Sequence, residues 1–148
     1  MIEVRAATEI AASADTVWRV LTELAEYRAW NPFIRRARGS LEVGETVRVR
    51  VRTRRGIPLA FSARISERSD RRALRWRGRF LASWLGSGDH RFAIEPLGEQ
   101  RVRFEQAEVF DGVLPRLARG LLEREVRHGF EAMNRELAAR AERAEARP

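Results

Sequence analysis

Cysteine is absent from the 148 residues, and so is lysine. The first absence excludes disulfides, thiolate nucleophiles and thiolate metal ligands. Histidine is scarce: His90 and His128 lie far apart and form no metal-ligand spacing, so neither a metal nor a cofactor is expected. No apolar run is long enough to span a bilayer. Glu3 stands where a signal peptide would carry positive charge, so a cytoplasmic location is the expectation. There is no phosphate-cradling glycine loop, no serine in a nucleophile context, no internal repeat and no linker.

What is present is arginine. All 29 basic residues are arginines, giving a net charge of +8. They are scattered over nearly every segment, often beside acids, in the manner of a GC-rich coding bias. Nucleic-acid binding is therefore not expected, because that function masses basic residues on one element.

The last third of the chain reads as one long amphipathic helix from about Leu114 to about Arg140. Leu114, Leu117, Leu121, Leu122, Val126, Phe130, Met133 and Leu137 recur in steps of three and four, drawing a single apolar stripe. Asp111-Gly112 signals a turn before it, and Pro115 suits a first helical turn. One domain over residues 1–142 is expected. The tail frays from about Ala141, and residues 143–148 lie outside the domain.

The preceding hundred residues read mainly as strands. Ile2, Val4, Ala6, Thr8 and Ile10 alternate with mostly polar residues, a strand with one buried face. Ser13 offers an N-cap to a short helix carrying Val17, Trp18, Val20, Leu21 and Leu24, and a second short turn holds Ala25–Arg28. Pro32 forces Asn31 out of the helical region, with Trp30 and Phe33 flanking that corner as hinge plugs or as cavity lining. Strands then follow at short turns. Val47, Val49 and Val51 alternate with Arg48, Arg50 and Arg52; Leu59, Phe61, Ala63 and Ile65 share a face. Leu74, Trp76, Gly78 and Phe80 alternate with Arg75, Arg77 and Arg79. Residues 82–88, with Trp84, read as a connection. Short turns imply an antiparallel meander, so a twisted sheet against one helix gives an α+β two-layer domain.

The last two strands break the rule that inward faces are apolar. His90 shares a face with Phe92 and Ile94; Gln106 and Glu108 share one with Val102, Phe104 and Phe110. Such groups are costly to bury unless paired or hydrated. They belong either to an internal hydrogen bond in a filled core, such as His90 to Glu108, or to a hollow interior. In the second case Trp76, Phe80 and Trp84 supply apolar walls, and Leu117 and Leu121 roof the space from the helix.

Across nearly the whole chain, these features resemble the bacterial polyketide cyclase/dehydrase and lipid-transport-like proteins of the START-like (SRPBCC) superfamily. The carriers are Val17-Trp18, Tyr27…Trp30-Asn31-Pro32-Phe33, His90-Arg91-Phe92…Glu95-Pro96-Leu97-Gly98, Phe104…Gln106…Glu108…Phe110…Gly112 and Arg127-His128-Gly129-Phe130-Glu131-Ala132-Met133-Asn134. The resemblance implies a helix-grip fold: a seven-stranded curved antiparallel sheet around the C-terminal helix, with two short helices after the first strand and a deep cavity between layers. It also implies a hydrophobic, lipid- or polyketide-like ligand.

Three functions follow as expectations. The leading one is a binder of a hydrophobic small molecule, lined by Trp30, Phe33, Trp76, Phe80, Trp84, His90, Phe92, Phe104, Gln106, Glu108, Phe110, Leu117 and Leu121. The second is a polyketide cyclase, aromatase or dehydratase with Glu108 or His90 as acid/base and Gln106 orienting a carbonyl oxygen. Few arginines point inward, unlike some ring-closing relatives. The third is an arginine-mediated membrane or acidic-protein interaction module, using outward Arg48, Arg50, Arg52, Arg75, Arg77 and Arg79. The oligomeric state stays open.

Overall fold

The computed structural model describes residues 1–56, 58–79 and 86–147. Strand β1 (Ile2–Ile10) buries Ile2, Val4 and Ile10 on its inner face. Helix α1 (Ala14–Thr22) starts at Ser13, whose hydroxyl accepts from Thr16 N at 3.2 Å. A 3₁₀ turn (Leu24–Glu26) and the short helix α2 (Tyr27–Trp30) follow. The strands are β2 (Ile34–Gly39), β3 (Thr46–Arg52), β4 (Pro58–Ser69), β5 (Ala73–Arg79), β6 (Ser87–Gly98) and β7 (Arg101–Asp111). They form one antiparallel sheet in the order β1-β7-β6-β5-β4-β3-β2, so β1 and β2 are its edges. The helix-grip architecture expected from the sequence is the observed one.

The corner at residues 30–33 is fixed by Asn31. Its Oδ1 accepts from Phe33 N at 3.0 Å and Ile34 N at 2.9 Å, closing the turn that Pro32 demands. Trp30 packs edge-on to Tyr27, with ring centroids 5.2 Å apart. The Phe33 ring reaches the long helix at Gly129, where a Cβ would come within 2.2 Å of it. Phe33 then meets Phe130 edge-to-face at 5.8 Å.

The C-terminal helix departs from the sequence reading at both ends. It is two helices, α3 (Val113–Leu117) and α4 (Arg119–Ala146), broken at Ala118, which has φ −111° and ψ 28°. Leu117 is 80% exposed and Leu121 42% exposed, so the first part of the stripe is not core. Gly120 adds a weak helix former just after the break. From Val126 onward the stripe is buried as expected: Phe130, Met133 and Leu137 are all inaccessible.

At the other end, α4 continues to Ala146 instead of fraying from Ala141. Ala141 is fully buried, and Glu142 accepts from Ala11 N at 2.9 Å. Glu145 accepts from Ser13 N and from the Thr16 hydroxyl. The tail is thus tied to the β1–α1 corner by hydrogen bonds, a feature that composition alone does not reveal.

Candidate functional site

The register of three strands assembles the site. On β6 and β7, His90 lies directly opposite Glu108, and Phe92 opposite Gln106. All four are on the inward face, so the polar groups meet as cross-strand neighbours. On β5 and β6, Gly78 lies opposite Gly88. That puts two residues without side chains at inward positions beside Glu108.

The polar groups form a chain whose directions can be deduced. Gln106 Nε2 donates to Asn134 Oδ1 at 2.8 Å and lies 3.5 Å from the Phe130 carbonyl oxygen. A backbone carbonyl only accepts, so the amide nitrogen of Gln106 must face α4. Its Oε1 therefore faces His90 Nε2 at 3.0 Å, and Nε2 must carry the hydrogen. Burial drives the His90 pKa down to about 3, against the hydrogen bond to Gln106 and the charge of Asp89. The ring is neutral, and Nδ1 is bare. Glu108 Oε1 lies 3.6 Å from that nitrogen. Burial first, and the negative charge of Asp89 second, raise the Glu108 pKa to about 8. Near neutral pH the pair is thus a protonated acid beside a neutral base, not an ion pair.

Aromatic rings hold the imidazole in place. Phe92 stacks on it with centroids 4.2 Å apart, Phe130 lies at 4.8 Å, and Trp76 meets it edge-on at 5.7 Å. Phe104 continues the cluster behind Phe92 at 6.3 Å. His90 and Gln106 are buried with a hydrogen bond between them; the internal bond expected from the sequence, His90 to Glu108, is not the one formed.

Glu108 differs. It faces a cavity of about 40 Å³ lined by Phe61, Gly78, Arg79, Gly88, Glu108 and Phe110. The glycines make the space: a Cβ on Gly88 would lie 2.4 Å from Glu108 Oε2, and one on Gly78 would lie 2.8 Å from the Phe61 ring. This volume suits a water or the polar end of a ligand, well short of the roughly 300–1,000 Å³ of a full ligand pocket.

Of the expected site residues, the structure brings Glu108 and Phe110 to the cavity and places His90, Gln106, Trp76, Phe92 and Phe104 in the packed cluster behind it. Trp30 and Phe33 plug the corner after α2 and do not line the cavity. Leu117 and Leu121 do not roof it: the break at Ala118 leaves them facing solvent. Phe80 and Trp84 lie outside the described residues. The sequence reading missed Phe61, Arg79, Asn134 and both glycines. The sequence reading puts Gly88 in the 82–88 connection; β6 instead begins at Ser87, which puts Gly88 at an inward position, while residues 82–85 of that connection lie outside the described residues. Among the described residues, no group of three or more His, Cys, Asp or Glu side chains is placed to hold a metal.

The sequence pattern of the family described as "Polyketide cyclase / dehydrase and lipid transport" matches residues 1–142. The chain belongs to that family. Solved structures of this polyketide cyclase/dehydrase fold superpose closely. The Zhui aromatase/cyclase from Streptomyces sp. R1128 is 23% identical, with TM-score 0.79 over 96% of this chain and 94% of that one. A START superfamily protein from Mycobacterium smegmatis is 19% identical, with TM-score 0.76 over 96% and 98%. Norcoclaurine synthase from Thalictrum flavum is 11% identical, with TM-score 0.74 over 98% and 96%. At these identities the likeness is one of fold. No functionally curated sequence matches the chain. Among the described residues, no helix is long and apolar enough to cross a membrane.

Proposed function

We propose that this member of the polyketide cyclase/dehydrase and lipid transport family binds a hydrophobic small molecule that carries a carbonyl group, and moves a proton on it at Glu108. The observation that carries the reading is a largely enclosed carboxyl facing a cavity on one side and His90 Nδ1 on the other, in surroundings that raise its pKa. A cavity of this size takes the oxygen end of a ligand, with Phe61 and Phe110 offering apolar contact to its body.

The chemistry is that of enolisation. Protonated Glu108 donates its hydrogen to the carbonyl oxygen, which makes the α-hydrogens more acidic. Water accepts an α-proton, the enol forms with the Glu108 hydrogen on its oxygen, and Glu108 regains a proton from solvent. His90 stays neutral throughout, and its bare Nδ1, 3.6 Å away, faces the Glu108 carboxyl without taking its proton. Cyclisation and dehydration of a polyketide-like compound both proceed through such an enol.

Binding without catalysis is the second reading. It is favoured by His90 and Gln106 sitting in a filled core with their hydrogen bonds made, as structural groups do. A bicyclic aromatic ketone, 1-tetralone, separates the two. Exchange of its α-hydrogens for solvent deuterium, followed by NMR, is expected to exceed the buffer rate with the native protein and return to it with Glu108→Gln. Saturable binding with no exchange would leave only the binder. No binding at all would defeat both readings.

A further inference from the structure

Ion pairs are spread unevenly over the sheet. On β5, β6, β7 and β1 most arginines are matched by acids: Arg75 with Asp89, Arg91 with Glu67, Arg103 and Arg5 with Glu105, and Arg101 with Glu9, leaving Arg77 and Arg79 without an ion pair among the described residues. On β4 Arg68 is matched by Glu42 and Asp70, but on β2 and β3 no arginine has an ion pair among the described residues. There Arg36 lies directly opposite Arg50, and Arg38 opposite Arg48. All four are exposed, and none has an ion pair among the described residues. Like charges directly opposite each other destabilise a strand pair.

The face around these four arginines is also shaped. Ala60 and Ser62, small outward residues of β4, lie opposite Arg50 and Arg48. They floor a trough of about 390 Å³ walled by Arg36, Arg38, Arg48 and Arg50. Residues two apart on a strand are about 6.8 Å apart and neighbouring strands about 4.8 Å apart, so the guanidinium stems rise on a grid of that size. Carboxylates three and four apart on a helix have Cβ atoms about 5–6 Å apart, which matches. Guanidinium forks pair with carboxylates through two parallel hydrogen bonds.

We propose that the trough on the outer face of β2, β3 and β4 is a docking site for an acidic helical face of a partner protein, gripped by Arg36, Arg38, Arg48 and Arg50. The outward positions there carry arginine, threonine, serine, alanine and proline. Phe61 also touches the trough, but it belongs to the inward set of β4 and lines the inner cavity, so the face lacks the row of exposed rings of a single-strand nucleic-acid site. With no large apolar side chain, it lacks the inserting residues of a membrane-surface anchor. A trough receives a ridge, and a bilayer presents none.

The test compares two variants of equal net charge, Arg38→Ser/Arg48→Ser and Arg75→Ser/Arg91→Ser. The probes are an alanine-rich helical peptide with glutamates three and four residues apart at neutral pH, phosphatidylcholine vesicles doped with phosphatidylserine, and oligodeoxythymidine. Native protein is expected to bind the peptide best, and the first variant to lose about tenfold in affinity while the second stays close to native. Because the first variant also removes a like-charge pair, its melting temperature should rise by about 1–3 °C, which separates lost docking from lost folding. Equal losses in both variants, no binding of the peptide, or tighter binding of vesicles or oligonucleotide would each overturn the proposal.

Discussion

Gln106 Oε1 accepts from His90 Nε2 at 3.0 Å, and this one contact decides which imidazole nitrogen is left bare toward Glu108. The amide cannot turn over, because its nitrogen faces the Phe130 carbonyl and the Asn134 side-chain oxygen on α4. A residue on the long helix thus sets, through two side chains, the proton arrangement at the cavity.

Gln106→Leu should break that arrangement. It leaves His90 Nε2–H and Asn134 Oδ1 buried without partners, at a cost of about 1–3 kcal/mol for each orphaned group. Urea unfolding reads the loss. Nitrogen-15 NMR of the native imidazole should show the hydrogen on Nε2; a hydrogen on Nδ1 would contradict the deduced chain.

Stability should depend on pH through two opposed groups. The folded pKa of His90 is depressed to about 3 from 6.5, so between those values the unfolded chain binds more protons and stability rises with pH. The folded pKa of Glu108 is raised to about 8 from 4.5, so over that range the folded chain binds more protons and stability falls as pH rises. The two cancel from about pH 4.5 to 6.5, leaving a falling limb from about 6.5 to 8 with a slope of up to about 1.4 kcal/mol per pH unit. In Glu108→Gln the falling limb should vanish and the rising limb extend toward pH 6.5. Melting curves across this range check it; an unchanged limb in the variant would remove the buried acid from the account.

Gly88→Ala should close the cavity. The added Cβ would stand 2.4 Å from Glu108 Oε2, so the carboxyl end must move into the space it now faces. Overpacking of this kind costs about 1–3 kcal/mol, and a flexible side-chain end puts it low in that range. The expected result is a folded protein that no longer binds 1-tetralone. Full binding by the Gly88→Ala variant would put the ligand elsewhere.

Much of this is legible in the sequence. Period-two alternation marks the strands because each has one face in the core, and His90, Gln106 and Glu108 do point inward. The break at Ala118 is not legible. Leu114, Leu117 and Leu121 keep helical spacing straight through it, and spacing cannot show where a helix is interrupted. Asn134 is readable in principle: it follows Phe130 by four residues and so falls on the buried stripe, where a polar side chain needs a partner. The partnership of Gly78 with Gly88 depends on strand register, which alternation alone does not fix across the β5–β6 connection.

Gly129 carries the last prediction, because there the helix and the corner after α2 share one space. A Cβ at this position would fall 2.2 Å from Phe33 Cδ1 and 2.4 Å from Cε1, so a ring must move. The ring is confined: Phe33 is 7% exposed, its backbone is held by Asn31, and it packs against Phe130, which also touches His90. Gly129→Ala should therefore destabilise by about 1–3 kcal/mol despite the better helix propensity of alanine, which alone would favour the variant by about 1 kcal/mol. Adding Phe33→Leu should recover part of the loss, since a smaller side chain vacates the space the new methyl needs. Chemical unfolding of the two single variants and the double variant gives the coupling directly. Strict additivity of the two losses would mean that the ring and the glycine do not share that space.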